Sequence, residues 1–477
     1  MRIPLTATLL LALATSAAAQ QRTIAVDFEQ FELPNGLTVI VHRDTTTPTI
    51  STNLWYHVGS AREAPGRTGF AHLFEHIMFE GSKHVPEGKI DEWFQEVGGS
   101  PNGSTTTDRT NYMQEFSSNA LDLALFIESD RMGHLLDAMT PATVDGQRDV
   151  VKNERRQSYD NPPYGLADQV LTEALYPPTH PYSWPVIGYM DHLGAATYQD
   201  VVDFFRRYYA PNNASLVIAG DVGIEQARAL ATRWFADVPA GDSVAPQPAA
   251  RPVITGAPRL LLEDRVQLPR LYQRWLTPAA YADGDAALIV LARVLAGGKN
   301  SRLYERLVYD LQIADDVSAY QSGSLLNGEF QMAATARAGH TLAEIDSVIR
   351  VEIERLAAEP PEPRELQRVV NQYEVSFLEQ LEQPSRKADQ LNEYLFYTGA
   401  PDYFERDLER FRRLVPADIS AAARRWLAAD ARVLLSIVPE GRAELGLPGS
   451  TTVSREGLEQ SPSQRTTRTP TAPQGTR

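Results

Sequence analysis

Asp200-Val-Val-Asp-Phe-Phe-Arg-Arg-Tyr-Tyr-Ala-Pro-Asn-Asn-Ala-Ser-Leu-Val-Ile218 reads as a helix followed by a buried strand. It returns 218 residues later as Asp418-Ile-Ser-Ala-Ala-Ala-Arg-Arg-Trp-Leu-Ala-Ala-Asp-Ala-Arg-Val-Leu-Leu-Ser436. Asp200 matches Asp418, Arg206 and Arg207 match Arg424 and Arg425, and Tyr208 matches Trp426, all without a gap. Any helix followed by a strand shares the periodicity. The gapless Arg-Arg-aromatic register points further, to an internal duplication. Between the copies, Pro239, Pro246, Pro248, Pro252 and Pro258 fall among Ala, Gly and Ser, the texture of a linker. Two similar domains are expected, over 23–240 and 255–446, joined by a linker at 241–254. Past 447 the chain is Ser, Thr, Pro, Gln and Gly without an apolar period, which reads as a disordered tail over 447–477.

Of 477 residues, 43% are hydrophobic and 22% charged, an ordinary globular composition. The 45 Lys+Arg against 61 Asp+Glu leave a net charge of −16, which argues against nucleic acid or anionic lipid as partners. With no cysteine, disulfides, thiolate nucleophiles and Cys-based metal sites are excluded. A metal must then rest on carboxylates and the 9 histidines. Arg2, the apolar run over 5–14 and Ala17-Ala-Ala19 before Gln20 read as a cleavable signal peptide over 1–19. The chain is therefore expected in the periplasm or secreted. No later stretch approaches the ~20 apolar residues of a membrane span.

Around Pro34-Asn-Gly36 the alternation predicts a hairpin over 28–42, with Leu37, Val39 and Val41 on one face. A strand is expected over 50–58 and another over 215–219, with helices over 69–79, 121–138, 141–158 and 199–209.

The chemistry concentrates in Thr68-Gly-Phe-Ala-His72-Leu-Phe-Glu75-His76-Ile-Met-Phe-Glu-Gly81. On a helix His72 and His76 share a face, so both imidazoles reach one ion, and Glu75 points the same way, within reach of its bound water. This H-x-x-E-H order reverses the H-E-x-x-H of zinc peptidases. Tetrahedral zinc in a catalytic site needs a third protein ligand. Glu154 lies on a helical stripe with Gln147, Val151 and Ser158, but spacing alone equally suits a solvated charge paired with Arg155 and Arg156.

Taken with Pro34-Asn-Gly-Leu-Thr-Val39, Gly98-Gly-Ser-Pro-Asn102-Gly103, Val150-Val-Lys-Asn-Glu154-Arg-Arg156 and His180-Pro-Tyr182, the motif resembles the pitrilysin/insulinase family of zinc peptidases, which includes the mitochondrial processing peptidase. The resemblance runs to about residue 446. It implies an α+β fold of two similar domains, each a mixed sheet with helices. It also implies one Zn²⁺ per chain on His72, His76 and Glu154, with Glu75 as catalytic base. Residues 98–107 resemble the family's edge strand, where an extended peptide pairs beside the metal; Asn102, Gly103 and Ser104 stand at the substrate-binding positions. Gly103 replaces a usual Ala, so a looser strand is expected. Gln147 stands behind the ligands where some members carry a second Glu.

The second half departs from the pattern. In register with Ser301-Arg-Leu303, Val308 and Asp315 occupy the places of the family's Arg and Tyr, which bind the substrate carbonyl. No second H-x-x-E-H occurs. The expected assembly is therefore a heterodimer with a related subunit that supplies the Arg/Tyr pair, a homodimer being the other arrangement. The expected activity is hydrolysis of peptides or unfolded polypeptides held as an added β-strand inside a clamshell chamber. The alternative is a non-catalytic binding or assembly subunit of a peptidase complex.

Overall fold

The computed structural model describes residues 24–465; the leader expected over 1–19 and the segment 466–477 lie outside them. β1 (Glu29–Glu32) and β2 (Thr38–Arg43) form the hairpin. With β3 (Thr49–Tyr56), β4 (Ser100–Thr105), β5 (Thr110–Ser117) and β6 (Ala214–Gly220) they make a sheet in the order β1-β2-β6-β3-β5-β4. A second sheet contains β7 (Arg259–Asp264), β8 (Arg270–Thr277), β9 (Ala314–Gly323), β10 (Gly328–Ala336), β11 (Arg432–Pro439) and β12 (Thr451–Val453), in the order β12-β7-β11-β8-β10-β9. Inside the first strand of each order the pairings correspond: β2–β6 and β7–β11 are parallel, and the next three pairs in each sheet are antiparallel. The outermost pairs differ, β1–β2 being antiparallel and β12–β7 parallel. Residues 239–258 between the sheets contain neither helix nor strand.

The repeated sequence lands on equivalent elements. Helix Tyr198–Tyr208 leads into β6, and helix Pro416–Trp426 leads into β11. Asp200 and Asp418 do the same work: each Oδ2 accepts the backbone N–H three residues earlier, of Thr197 and of Val415, both at 2.9 Å. That satisfies a donor left orphaned at the helix start.

Each half also lends a helix to the other's sheet. Helix Pro384–Thr398 lies on β3 and β6, setting Ala388, Leu391 and Tyr394 against Ile40, Val217 and Ala219. Helix Ala167–Leu175 lies on β11, where Val170, Leu171 and Leu175 join Val433, Leu435 and Ile437. Both central strands are therefore covered on two faces, which their unbroken apolar runs require. Ile40 is fully buried for the same reason, although the hairpin alternation turns only Leu37, Val39 and Val41 inward.

The disordered tail expected from 447 does not hold over 451–465. β12 pairs in parallel with β7 and Leu458 is buried, so the tail covers a strand that would otherwise be a bare edge.

Candidate metal centre

Helix Phe70–Ile77 carries the motif. Phe70, Leu73, Phe74 and Ile77 enter the first core, which leaves His72, Glu75 and His76 on the other stripe. Its N-cap, Gly69, has φ 87° and offers no side chain. Glu63 caps instead, accepting from Gly69 N and Ala71 N, each at 2.9 Å. Burial pushes the Glu63 carboxyl up to about 8 against the pull of those donors. Gly69 is needed twice over, since a Cβ there would lie 2.8 Å from Ile187 O.

Glu154 comes from helix Pro141–Arg155, which packs beside the motif helix. The helix expected to 158 changes at 156 into a π-helical turn, Arg156–Asp160, a feature frequent at functional sites. His76 Nε2 stands 3.1 Å and His72 Nε2 3.6 Å from Glu154 Oε2. The ligating atoms of the three lie within 4.8 Å of one another, the only such group of three or more His, Cys, Asp or Glu among the described residues. Burial drives the His72 pKa down to about 4, while the hydrogen bond with His76 holds Glu154 below the usual carboxylate range. A neutral His72 imidazole beside an ionised Glu154 carboxylate matches the protonation states that metal ligation demands. Two nitrogens and one oxygen also make a donor set that suits zinc. The residues fit the ion.

Glu75 points to β4, its Oε2 accepting from Thr105 Oγ1 at 2.6 Å. Burial raises its pKa. A Cβ on Gly103 would lie 3.0 Å from Glu75 Cγ and 3.2 Å from the Phe79 ring. Gly103 therefore makes room for Glu75. Asn102 is exposed, its Oδ1 accepting from Gly103 N at 2.9 Å. Ser104 turns to the opposite face, where its Oγ donates to Asn111 Oδ1 at 2.7 Å and accepts from Arg109 Nη1 at 2.6 Å. β4 pairs with β5 alone, so its outer edge is open.

Gln147 Nε2 donates to Glu80 Oε1 at 2.5 Å, so a carboxylate stands behind the ligands from the end of the motif segment. Sequence reasoning missed Glu63, Glu80, Thr105 and Arg109. The two-residue period of a strand links Thr105 to Gly103 and was signal enough for that one; Glu63 and Glu80 depend on how the chain folds back. In the second half Val308 is buried in the core, and Asp315 Oδ1 accepts from Arg337 Nε at 3.0 Å.

Residues 38–180 match the family described as insulinase (peptidase family M16), and 195–373 match the peptidase M16 inactive domain. The zinc protease PqqE of Helicobacter pylori is 30% identical over 409 residues, covering 84% of this chain and 90% of that protein. The crystal structure of a protease from Helicobacter pylori superposes with a TM-score of 0.82 at 27% identity, over 87% of this chain and 100% of that one. The first half of the periplasmic protease PqqL from Escherichia coli shares the fold, with a TM-score of 0.73 at 18% identity over 89% of this chain and 95% of that one. With this topology and identity across most of both sequences, the chain belongs to peptidase family M16.

Proposed function

We propose that this chain is an exported zinc-dependent endopeptidase that cleaves extended peptides laid along β4. The observation that carries the reading is the convergence of His72, His76 and Glu154, with Glu75 hydrogen-bonded to the open-edged strand beside them. A zinc ion on those three residues supplies a Lewis acid that polarises a carbonyl and acidifies water. Thr105 fixes Glu75 Oε2, leaving Oε1 to take the proton of the water that adds to the scissile carbonyl. Glu75 then gives that proton to the amine nitrogen as the C–N bond breaks. Its raised pKa suits a group that must hold a proton between those events. The substrate strand pairs with the main chain of Asn102, Gly103 and Ser104, so extended backbone is read more than side chains.

Val308 and Asp315 offer no carbonyl-binding pair, which favours a related partner subunit that brings an Arg and a Tyr. Export is supported by the expected leader and by a neighbour of the same fold named periplasmic. Among the described residues no helix is long and apolar enough to cross a membrane.

The test pairs two variants assayed with a quenched peptide and metal analysis. Glu75→Gln should keep zinc and lose about 10²–10⁴ in turnover, whereas Glu154→Ala should lose the metal itself. Hydrolysis by Glu75→Gln within about tenfold of wild type would remove Glu75 as the base. Zinc without hydrolysis in the wild type, partner present, would favour the non-catalytic subunit.

A further inference from the structure

We infer that the C-terminal segment Arg455–Arg465 is a positioning strap for the metal centre, acting through Arg155 on the end of the helix that presents Glu154. This rests on the reading of His72, His76 and Glu154 as metal ligands.

Arg155 follows Glu154 directly and its side chain is wholly buried. Nη1 donates to Gly188 O at 2.6 Å; Nη2 donates to Gln169 Oε1 at 2.7 Å and to Leu458 O at 3.1 Å. A buried guanidinium short of an acceptor is costly, so Leu458 O matters out of proportion to its size. The same carbonyl accepts from Gln169 Nε2 at 2.7 Å. On the other side of Arg155, Gly188 presses on the start of the motif helix, where a Cβ on it would lie 2.5 Å from Gly69 Cα. Arg155 thus ties both ligand-bearing helices to one anchor.

That anchor is bolted down along its length. Arg455 Nε meets Asp264 Oδ1 of β7 at 2.9 Å. Leu458 sits in the apolar cluster with Leu166, Leu171 and Val433. Glu459 O accepts from Met190 N at 2.8 Å, and Ser461 N and Oγ donate to Asp191 at 2.8 and 2.5 Å. Arg465 grips Glu173 with both Nη atoms, at 2.6 and 2.7 Å. A strap that leaves the second sheet through β12 therefore passes Arg155, the residue after Glu154, and ends on Glu173 of helix Ala167–Leu175.

The test compares the full chain, a chain stopped after Val453, and the full chain carrying Ser461→Ala with Arg465→Ala. Zinc affinity is measured by chelator competition, coordination by the visible spectrum of the Co²⁺-loaded protein, and backbone protection over 148–160 by hydrogen exchange. Truncation should weaken zinc binding by about 10- to 100-fold, the range for residues that support ligands. It should also alter the Co²⁺ spectrum, and a synthetic peptide of residues 454–466 should restore both. The double variant, which keeps Leu458 buried, should move the same readouts less, and it carries the test if the truncated chain does not fold. A lower melting temperature with zinc affinity and Co²⁺ spectrum unchanged would overturn the inference and leave the tail as packing. A full chain that binds no zinc would overturn the metal centre, and the strap with it.

Discussion

At position 103 a single hydrogen atom faces Glu75 where any other residue would set a carbon 3.0 Å from its Cγ. Gly103→Ala asks the carboxylate to yield a few tenths of an ångström. Gly103→Val adds two methyl groups on the same side, which Glu75 can meet only by leaving Thr105. We expect Gly103→Val to retain zinc and lose at least about tenfold in kcat, the scale on which a misplaced base is felt. Steady-state kinetics with metal analysis checks it; an unchanged kcat would mean that Glu75 acts from another rotamer. Thr105→Val should move kcat in the same direction without a clash, since it removes the bond to Oε2 and, beyond that, a longer contact with Thr110 Oγ1 at 3.4 Å.

Among the elements, helix Pro384–Thr398 belongs to the second half and packs on the first sheet, as helix Ala167–Leu175 does in the reverse sense. Glu393 on helix Pro384–Thr398 accepts from Tyr281 Oη at 2.5 Å. Burial pushes its carboxyl up to about 7 from the ordinary 4.5, with Asp389 and Asp407 adding to the shift. Between those two values the native state holds a proton that the unfolded chain has released. By linkage this carboxyl costs stability progressively as pH rises through that window. Glu393→Gln keeps an acceptor for Tyr281 and removes the titration. Its melting temperature relative to wild type should therefore rise between about pH 5 and about pH 8. A constant offset across that range would show that Glu393 is already ionised in the fold.

Over the whole molecule, the two halves share their central strand order and differ in chemistry. The first gathers the proposed ligands and base, and in the second Val308 and Asp315 stand where the expected Arg and Tyr would be. Losing one oxyanion donor typically costs about 10²–10³ in rate. The purified chain alone should therefore hydrolyse a quenched peptide weakly, and a related subunit carrying the Arg and Tyr should raise the rate by at least that factor. Light scattering on the same samples reports self-association. Full activity in a monodisperse single-chain sample, unmoved by any partner, would place oxyanion stabilisation elsewhere in this chain. Grafting Arg at 308 is a poorer experiment, because Val308 packs in the second core and the guanidinium would be buried.

What the sequence determined by itself is what short-range backbone geometry settles. His72, Glu75 and His76 share a stripe because a helix returns every 3.6 residues, and the duplicated helix and strand share a register because both copies repeat one local pattern. Glu154 as a partner of His76 followed from the family resemblance and not from spacing, since 78 residues separate them and a solvated helix charge has the same spacing; the tertiary structure sets the two 3.1 Å apart. The exchanged helices were hidden because an apolar stripe shows that a face is covered and not which half covers it. Gly103 read as looseness until Glu75 was found against it. The tail read as disorder because its order rests on main-chain pairing at 451–453, two buried leucines eleven residues apart, Leu447 and Leu458, and a few polar clamps, none of which leaves an apolar period. Local periodicity is written along the chain. Docking between distant segments is decided by which surfaces fit, and only the folded molecule specifies that.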